Sequence, residues 1–317
     1  MRVVSTCIRG LLLCAILSTG YGCGREGTSG LAGWHGASIE EKPHTRYPIV
    51  LLHGFFGWQQ VFHIDYFYQV PKHLRKLGYH VTATQVAPIN RVTVRATQLA
   101  PQIDKILAET GAEKVNLIAH SMGGLDGRYL ISAMGYGDRV ASLTTIATPH
   151  SGSLVADAII GAVDAGAEVK AAARAIVQGT HHLITHELTV PDIGPVDMNG
   201  ALNDLSTKFA TETFAAMAPD DSRVYYQSWS GSATFRHRFK PDIFDPIVAV
   251  AHKFIEKTQG ANDGLVSTAS ALHGVDRGVV PGDHLDEIGQ LLGRAPEGFE
   301  HKAFYQGIVE DLAARGY

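Results

Sequence analysis

Short apolar runs and amphipathic stretches alternate along the chain from residue 47 onward. The runs at 115–119 and 140–146 consist mostly of apolar or small residues, which is typical of strands buried on both faces. The stretch at 93–110 instead repeats apolar residues at helical spacing. This alternation predicts an α/β fold, with a mostly parallel central sheet and helices on both faces. The predicted strands are 48–52, 81–86, 115–119, 140–146 and 224–229, and the predicted helices are 71–76, 93–110, 125–134, 202–217 and 301–314.

The strand predicted at 115–119 stops at a small-x-Ser-x-Gly turn. Ser121 has Ala119 two residues before it and Gly123 two residues after it. A sharp strand-to-helix turn crowds the backbone around its serine, so these two positions need small residues. The pattern predicts a nucleophile elbow, which lifts the Ser121 hydroxyl above the edge of the sheet. The alternative is a helix N-terminus that carries a serine by chance.

Residues 153–195 interrupt the alternation of strands and helices. Apolar residues fall on one helical face there, and acidic residues fall on the opposite face. We interpret this insertion as a helical lid whose apolar face covers a site in water and turns to lipid at an interface. A surface helix packed on the core is the alternative. The apolar face holds Val155, Ile159 and Val163, and the acidic face holds Asp157, Asp164 and Glu168.

The first 23 residues have the pattern of a targeting segment. An apolar run at 11–17 follows two arginines and is too short to span a bilayer. Cys23 directly follows a small residue, which leaves two alternatives: lipid attachment at Cys23 after lipoprotein-type cleavage, or ordinary secretion. Both predict export, as a secreted protein or as an outer-membrane or periplasmic lipoprotein. The Gly/Ser-rich residues 24–42 are typical of a linker, and 43–317 are predicted to form one domain.

The cysteine and charge counts limit the cross-links and the partners that this domain can have. All three cysteines lie within the first 23 residues, so residues 43–317 contain no disulfide. An exported domain without a disulfide needs another cross-link if it needs any, and a bound metal is one candidate. The net charge is −4, with both signs mixed and no basic block, which excludes nucleic acid as a predicted partner.

A serine nucleophile needs a base, and the base needs a carboxylate that fixes its tautomer. In α/β hydrolases these residues follow the order Ser, Asp or Glu, His along the chain. Ser121, Asp263 and His284 satisfy this order, and each stands in a turn-like context. Other histidines compete for the role of base, but none of them lies so late in the chain after an Asp-Gly turn. They include His53 and His150 in turns, His181, His182 and His186 in the insertion, and His252 and His273.

Two backbone N–H groups are predicted to form the oxyanion hole. The first is that of Met122, which opens the helix after the elbow. The second is that of Phe55, in the loop after the first main strand, where Gly54 removes side-chain bulk.

Oxygen ligands for a metal occur near His284. Asp286 and Gln290 are four residues apart, and a helix there would place both on one face. Asp242 lies upstream in a loop. Carboxylate and amide oxygens suit Ca²⁺ better than zinc. On spacing alone, a solvated helix face and an unrelated loop aspartate are the simpler interpretation.

Four ordered blocks of this chain resemble the Pseudomonas-type, calcium-dependent bacterial triacylglycerol lipases of the α/β-hydrolase superfamily. The resemblance implies that Ser121, Asp263 and His284 are the catalytic triad and that Phe55 and Met122 supply the oxyanion hole. The blocks are YPIVLLHGFFG at 47–57, VNLIAHS at 115–121, NDGLV at 262–266 and HLDEIGQ at 284–290.

The resemblance also implies one structural Ca²⁺ and a lipid substrate. The ion would be held by Asp242, Asp286, Gln290 and the carbonyl of Arg294, with Asp245 as the alternative to Asp242. The implied activity is that of a secreted or lipid-anchored serine lipase, which hydrolyses acylglycerol esters at an interface through an acyl-enzyme.

Two other activities stay open. A carboxylesterase or polyester hydrolase would use the same triad without interfacial activation. A non-catalytic surface protein with this fold would bind lipids or partners. Departures from the family are Ala119 in place of glycine, the sequence at 124–129 and the missing disulfide, and they leave open the need for a dedicated foldase.

Overall fold

Six parallel strands form the central sheet in the order β4-β1-β5-β6-β7-β8. Leu52 at the end of β1 pairs with Ala119 of β5, and His120 pairs with Ile146 at the end of β6. The loops after these strands therefore leave the sheet side by side. The strands are β1 (Ile49–Leu52), β4 (Val81–Ala83), β5 (Val115–His120), β6 (Val140–Ile146), β7 (Tyr225–Gly231) and β8 (Val275–Val280), while β2 (Gln60–Val61) and β3 (Ile64–Asp65) form a separate antiparallel pair.

The structure is a computed structural model that describes residues 44–61, 64–171, 196–233, 245–290, 292–293 and 295–317. Residues 43–317 form one compact unit. The predicted targeting segment, its Cys23 and the linker lie outside the described residues. Within the described residues, no helix has the length and apolar character needed to cross a bilayer.

Helices cover both faces of the sheet. Alternate residues of β1 point to opposite faces. Val50 and Leu52 join a core with the helices Val92–Thr110 and Met122–Ser132, whereas Ile49 and Leu51 join a core with the helices Val70–Lys76 and His301–Ala314. The helices are α1 (Val70–Lys76), α2 (Val92–Thr110), α3 (Met122–Ser132), α4 (Leu154–Ile160), α5 (Met198–Asp204), α6 (Asp245–Gln259) and α7 (His301–Ala314). The predicted α/β-hydrolase architecture is confirmed.

Three segments differ from the sequence prediction. The helix predicted at 202–217 is interrupted: α5 ends at Asp204, and a π-helical turn (Phe209–Phe214) leads into Ala215–Met217. Helix α6 has no counterpart among the predicted helices, since Asp245 and Pro246 at its start are typical of turns. Strand β8 was missed because it is an exposed edge strand, whose charged residues and glycine give no apolar run.

Helix α4 opens the region predicted as a lid, 153–195. Its apolar residue Val155 packs against Ala251 and Ile255 of α6. Asp157, on the predicted acidic face, is buried and accepts hydrogen bonds from the backbone N–H and the hydroxyl of Thr207. Residues 172–195, with His181, His182 and His186, lie outside the described residues.

Candidate active site

Ser121 lies in a strained turn between β5 and α3. Its backbone has φ 55° and ψ −132°, a conformation that non-glycine residues rarely adopt. A Cβ on Gly123 would come within 2.7 Å of the Leu52 carbonyl oxygen and 2.8 Å of that of His53. The elbow therefore needs glycine after the serine because the turn packs directly on the end of β1.

Hydrogen bonds fix the backbone of this turn on both sides. The Ser121 N–H donates to the Ile146 carbonyl over 2.9 Å, which extends the β5–β6 pairing by one residue. The Ser121 carbonyl accepts from the Thr148 hydroxyl at 2.7 Å and from the Gly124 N–H at 3.0 Å. The serine side of the site is thus rigid, and Ser121 itself is 8% exposed.

Asp263 and His284 form a buried pair. His284 Nδ1 and Asp263 Oδ2 are hydrogen-bonded at 2.7 Å, and the His284 N–H donates to the Asp263 carbonyl at 3.1 Å. The other carboxylate oxygen of Asp263 accepts the N–H groups of Leu265 and Val266 at 2.8 and 2.7 Å. This places a fixed carboxylate behind the imidazole and leaves Nε2 as the ring nitrogen that faces away from it.

The imidazole of His284 lies next to the elbow. Its ring centre is 4.5 Å from that of His120, the residue that directly precedes Ser121. The structure therefore brings the three residues of the predicted triad to the same edge of the sheet, although they are widely separated in sequence.

A second carboxylate–histidine pair lies behind this one and was missed by the sequence analysis. His120 Nε2 is hydrogen-bonded to Glu287 Oε2 at 3.0 Å, and its Nδ1 is hydrogen-bonded to the Tyr66 hydroxyl at 2.8 Å. Burial lowers the pKa of His120 well below its usual value, and the neighbouring His284 lowers it further. Burial also raises the pKa of Glu287 well above its usual value, and the carboxylates of three aspartates, Asp263, Asp283 and Asp286, add to this effect.

His120, His284 and Glu287 also form a possible metal-binding group. Each offers one ligand atom, and these atoms lie within 4.8 Å of one another. Imidazole nitrogens with a carboxylate suit zinc rather than calcium. Since His120 is already hydrogen-bonded through both nitrogens, the arrangement is explained by the hydrogen-bond network itself.

The predicted oxyanion residues border the elbow. Met122 is the first residue of α3, and its N–H is one of those that lack an intrahelical partner. Phe55 lies in the turn after β1, where the next two N–H groups are bonded: Phe56 to the Pro88 carbonyl at 2.8 Å and Gly57 to the Gly54 carbonyl at 3.1 Å. A Cβ on Gly54 would lie 2.7 Å from the Ser121 Cβ, so this turn lies against the serine.

Three of the competing histidines make other contacts. His53 Nε2 accepts the Val86 N–H at 3.2 Å, and its Nδ1 donates to the Gly54 carbonyl at 3.0 Å. Burial, followed by the charge of Arg95, lowers the pKa of His53 to about 3, so the ring is neutral and braces the turn. His150 stacks on His273 with ring centres 4.5 Å apart.

The predicted calcium ligands are only partly described. Asp242 and Arg294 lie outside the described residues, as does the side chain of Asp245. The helix predicted across Asp286 and Gln290 is wrong, because a 3₁₀ turn (Asp286–Ile288) ends at Gly289 with φ 73°. Both side chains are buried, and the Gln290 amide donates to the carbonyls of Asp65 and Tyr66 at 2.7 and 2.9 Å.

Comparisons with known proteins identify the family of this chain. A family model for the alpha/beta hydrolase fold matches residues 47–189. A triacylglycerol lipase of Vibrio cholerae is 37% identical over 273 residues, which cover 82% of this chain and 85% of the relative. A triacylglycerol lipase of Pseudomonas fragi is 29% identical, covering 80% of this chain and 91% of the relative.

Solved structures show the same fold. The lipase of Staphylococcus hyicus aligns with a TM-score of 0.62 at 21% identity, covering 88% of this chain and 98% of that one. Lipase 1 of Pelosinus fermentans aligns with a TM-score of 0.63 at 21% identity, covering 85% and 99%. The chain belongs to the triacylglycerol lipase family of α/β hydrolases, and it is a carboxylic ester hydrolase.

Proposed function

We propose that this protein is an exported serine lipase of the Pseudomonas type, which hydrolyses acylglycerol esters through an acyl-enzyme. The observation that carries the proposal is the buried Asp263–His284 pair, whose imidazole lies beside a strained turn that bears Ser121. The names of its relatives support triacylglycerol as the substrate.

The hydrogen bonds that His284 already makes determine the role of each of its ring nitrogens. Because Nδ1 of His284 is bonded to Asp263, Nε2 takes the Ser121 proton as the hydroxyl oxygen attacks the ester carbonyl. The N–H groups of Phe55 and Met122 stabilise the resulting oxyanion. His284 then protonates the departing alcohol, and the C–O bond of the ester breaks. Water, activated by the same imidazole, releases the fatty acid and restores Ser121.

The insertion at 153–195 serves as the lid in this proposal. Ile160, at the end of α4, is 42% exposed, and Val196, directly after the insertion, is 48% exposed. Apolar side chains at such positions suit a segment that turns toward lipid at an interface. Export and a possible membrane attachment through Cys23 rest on the sequence of residues 1–23.

We also propose one structural Ca²⁺, held by Asp242, Asp286, Gln290 and the carbonyl of Arg294. The donor set is hard oxygen, and the two amide contacts of Gln290 nitrogen orient its oxygen away from Asp65 and Tyr66. The ion would neutralise carboxylate charge and stiffen the loop that carries His284. Chelation is expected to lower Tm, and an unchanged Tm after dialysis against chelator would count against the ion.

Substrate preference tests the lipase proposal. Wild type and Ser121→Ala are compared on emulsified tributyrin and on a soluble p-nitrophenyl acetate solution. A lipase shows a rise in rate when tributyrin passes its solubility limit, and Ser121→Ala loses both activities. A carboxylesterase or polyester hydrolase would show no such rise. An active Ser121→Ala variant would overturn the serine mechanism.

A further inference from the structure

A fully buried arginine, Arg95, lies behind the turn that carries Phe55. It stands in the first turn of α2, and its guanidinium donates to three backbone carbonyls and one carboxylate. The acceptors are the carbonyls of Ala87 at 2.6 Å, His53 at 2.8 Å and Gly54 at 3.3 Å, and Oδ2 of Asp126 at 2.9 Å.

Peptide geometry connects these contacts to the Phe55 N–H. In a trans peptide the C=O of one residue and the N–H of the next point in opposite directions. Arg95 shares the Gly54 carbonyl with the His53 ring at 3.0 Å and the Gly57 N–H at 3.1 Å. Together these donors hold the carbonyl on one side, so the Phe55 N–H of the same peptide points to the other side. The Gly54 backbone also lies against Ser121, where an added Cβ would be 2.7 Å from the Ser121 Cβ.

This turn needs an external support. Phe56 has φ 58°, a left-handed conformation that is strained for a residue with a side chain and persists only where the surroundings hold it. The carbonyl of His53, which Arg95 also binds, is the group that would lie 2.8 Å from a Cβ on Gly123. Arg95 therefore holds the turn at His53–Gly54 against the nucleophile elbow.

The same guanidinium reaches the helix that carries Met122. Asp126 lies in α3, four residues after Met122, and its carboxylate is buried against Arg95 with an ion-pair distance of 2.8 Å. Burial raises the pKa of Asp126 to about 6, while Arg95 acts in the opposite direction. One cation therefore connects the two chain segments that supply the two predicted oxyanion donors.

We infer that Arg95 is a positioning residue for the oxyanion hole, because it ties the His53–Gly54 carbonyls and Asp126 into one rigid unit and so sets the Phe55 and Met122 N–H groups. The inference rests on the proposed serine mechanism. A planar guanidinium is needed for this task, since the single ammonium of lysine cannot reach both the carbonyls and the carboxylate.

Arg95→Lys tests the inference against a matched control, Arg91→Lys. Arg91 precedes the same helix, has a half-exposed side chain and approaches Asp204 at 3.5 Å. For Arg95→Lys, kcat per titrated serine is expected to fall about 100-fold, as when one oxyanion donor is lost, with KM within about threefold of wild type. The affinity for an alkyl boronic acid, which forms a tetrahedral adduct, should fall in parallel. Arg91→Lys should keep the wild-type values.

The results separate this inference from the proposed function. A purely structural role would lower Tm and the titrated fraction while leaving kcat per titrated serine unchanged, and that result would overturn the inference. If Arg95→Lys does not fold, Asp126→Asn replaces it, with an expected loss of kcat at constant KM; a wild-type kcat would contradict the inference. Ser121→Ala is measured alongside: if that variant stays active, it is the serine mechanism that fails.

Discussion

Two histidine–carboxylate pairs lie side by side at the carboxyl edge of the sheet, His284 with Asp263 and His120 with Glu287. Their hydrogen bonds are similar, at 2.7 and 3.0 Å, and their imidazole rings are 4.5 Å apart. They differ in what surrounds them. His120 is fully buried and bonded through both ring nitrogens, whereas His284 is 6% exposed and uses Nδ1 for its carboxylate.

The two carboxylates differ as well. Asp263 accepts two backbone N–H groups on the oxygen that does not face His284, and such donors suit a charged carboxylate. Glu287 has no such donors among the described residues: its Oε1 is buried without a hydrogen-bond partner there. Its raised pKa favours a neutral carboxyl, which donates to a neutral His120. The same residue types thus give one pair whose free imidazole nitrogen can accept a proton and one neutral pair that packs behind it.

Removing each imidazole should give the largest contrast between the pairs. His284→Asn is expected to lower kcat about 10⁶-fold, because the serine loses its base. His120→Asn is expected to lower kcat less than about tenfold and to cost about 1–3 kcal/mol of stability, because Glu287 and Tyr66 lose their partner. Ester hydrolysis and urea unfolding of both variants measure the two effects. Equal losses of kcat would contradict the assignment of His284 as the only base.

Replacing each carboxylate tests the charge states. Asp263→Asn should lower kcat about 10⁴-fold, because the imidazole loses the group that fixes its tautomer and stabilises its positive charge. Glu287→Gln keeps the shape and the neutral state that Glu287 already has, so kcat should change less than about tenfold. The comparison is made at pH 8 with a soluble ester. A larger loss in Glu287→Gln than in Asp263→Asn would reverse the roles of the two acids.

The stability of Glu287→Gln should depend on pH in a defined direction. The pKa of Glu287 is raised on folding from 4.5, so the stability that its neutral form contributes is complete below about pH 4.5 and is lost as pH rises toward the folded pKa. The glutamine variant keeps its neutral amide at every pH. The difference in unfolding free energy, variant minus wild type, should therefore become more positive from pH 4 to pH 8. Urea titrations of both proteins at several pH values measure it, and a difference that does not change with pH would show that Glu287 keeps its usual pKa.

The sequence predicted the sheet and the elbow because their patterns are local. Buried strands such as β1 have a continuous apolar run, and the small residues around Ser121 follow from the crowding of one turn. Edge strand β8 shows no such run, because most of its side chains are exposed or half-buried and two are charged.

The second pair and the arginine behind the oxyanion turn depend on long-range contacts. His120 and Glu287 are separated by 167 positions, and Arg95 reaches His53 from 42 positions away. The sequence did hold one signal for Arg95, its position on the apolar face of the helix predicted at 93–110. A charged side chain on such a face is rarely buried without a partner. For Asp286 and Gln290 the local prediction itself was wrong. It assumed a helix, whereas Gly289 ends a 3₁₀ turn there.

Covalent labelling of the serine is the most direct measurement of the central claim, that a hydroxyl on the strained turn is activated by the Asp263–His284 pair. The protein is treated with an alkyl fluorophosphonate, residual ester hydrolysis is recorded, and the modified peptide is sequenced by mass spectrometry. One label per chain at Ser121, with complete loss of activity and with labelling strongly slowed in His284→Asn, is the predicted result. Labelling at another serine, or full activity in protein labelled at Ser121, would contradict it.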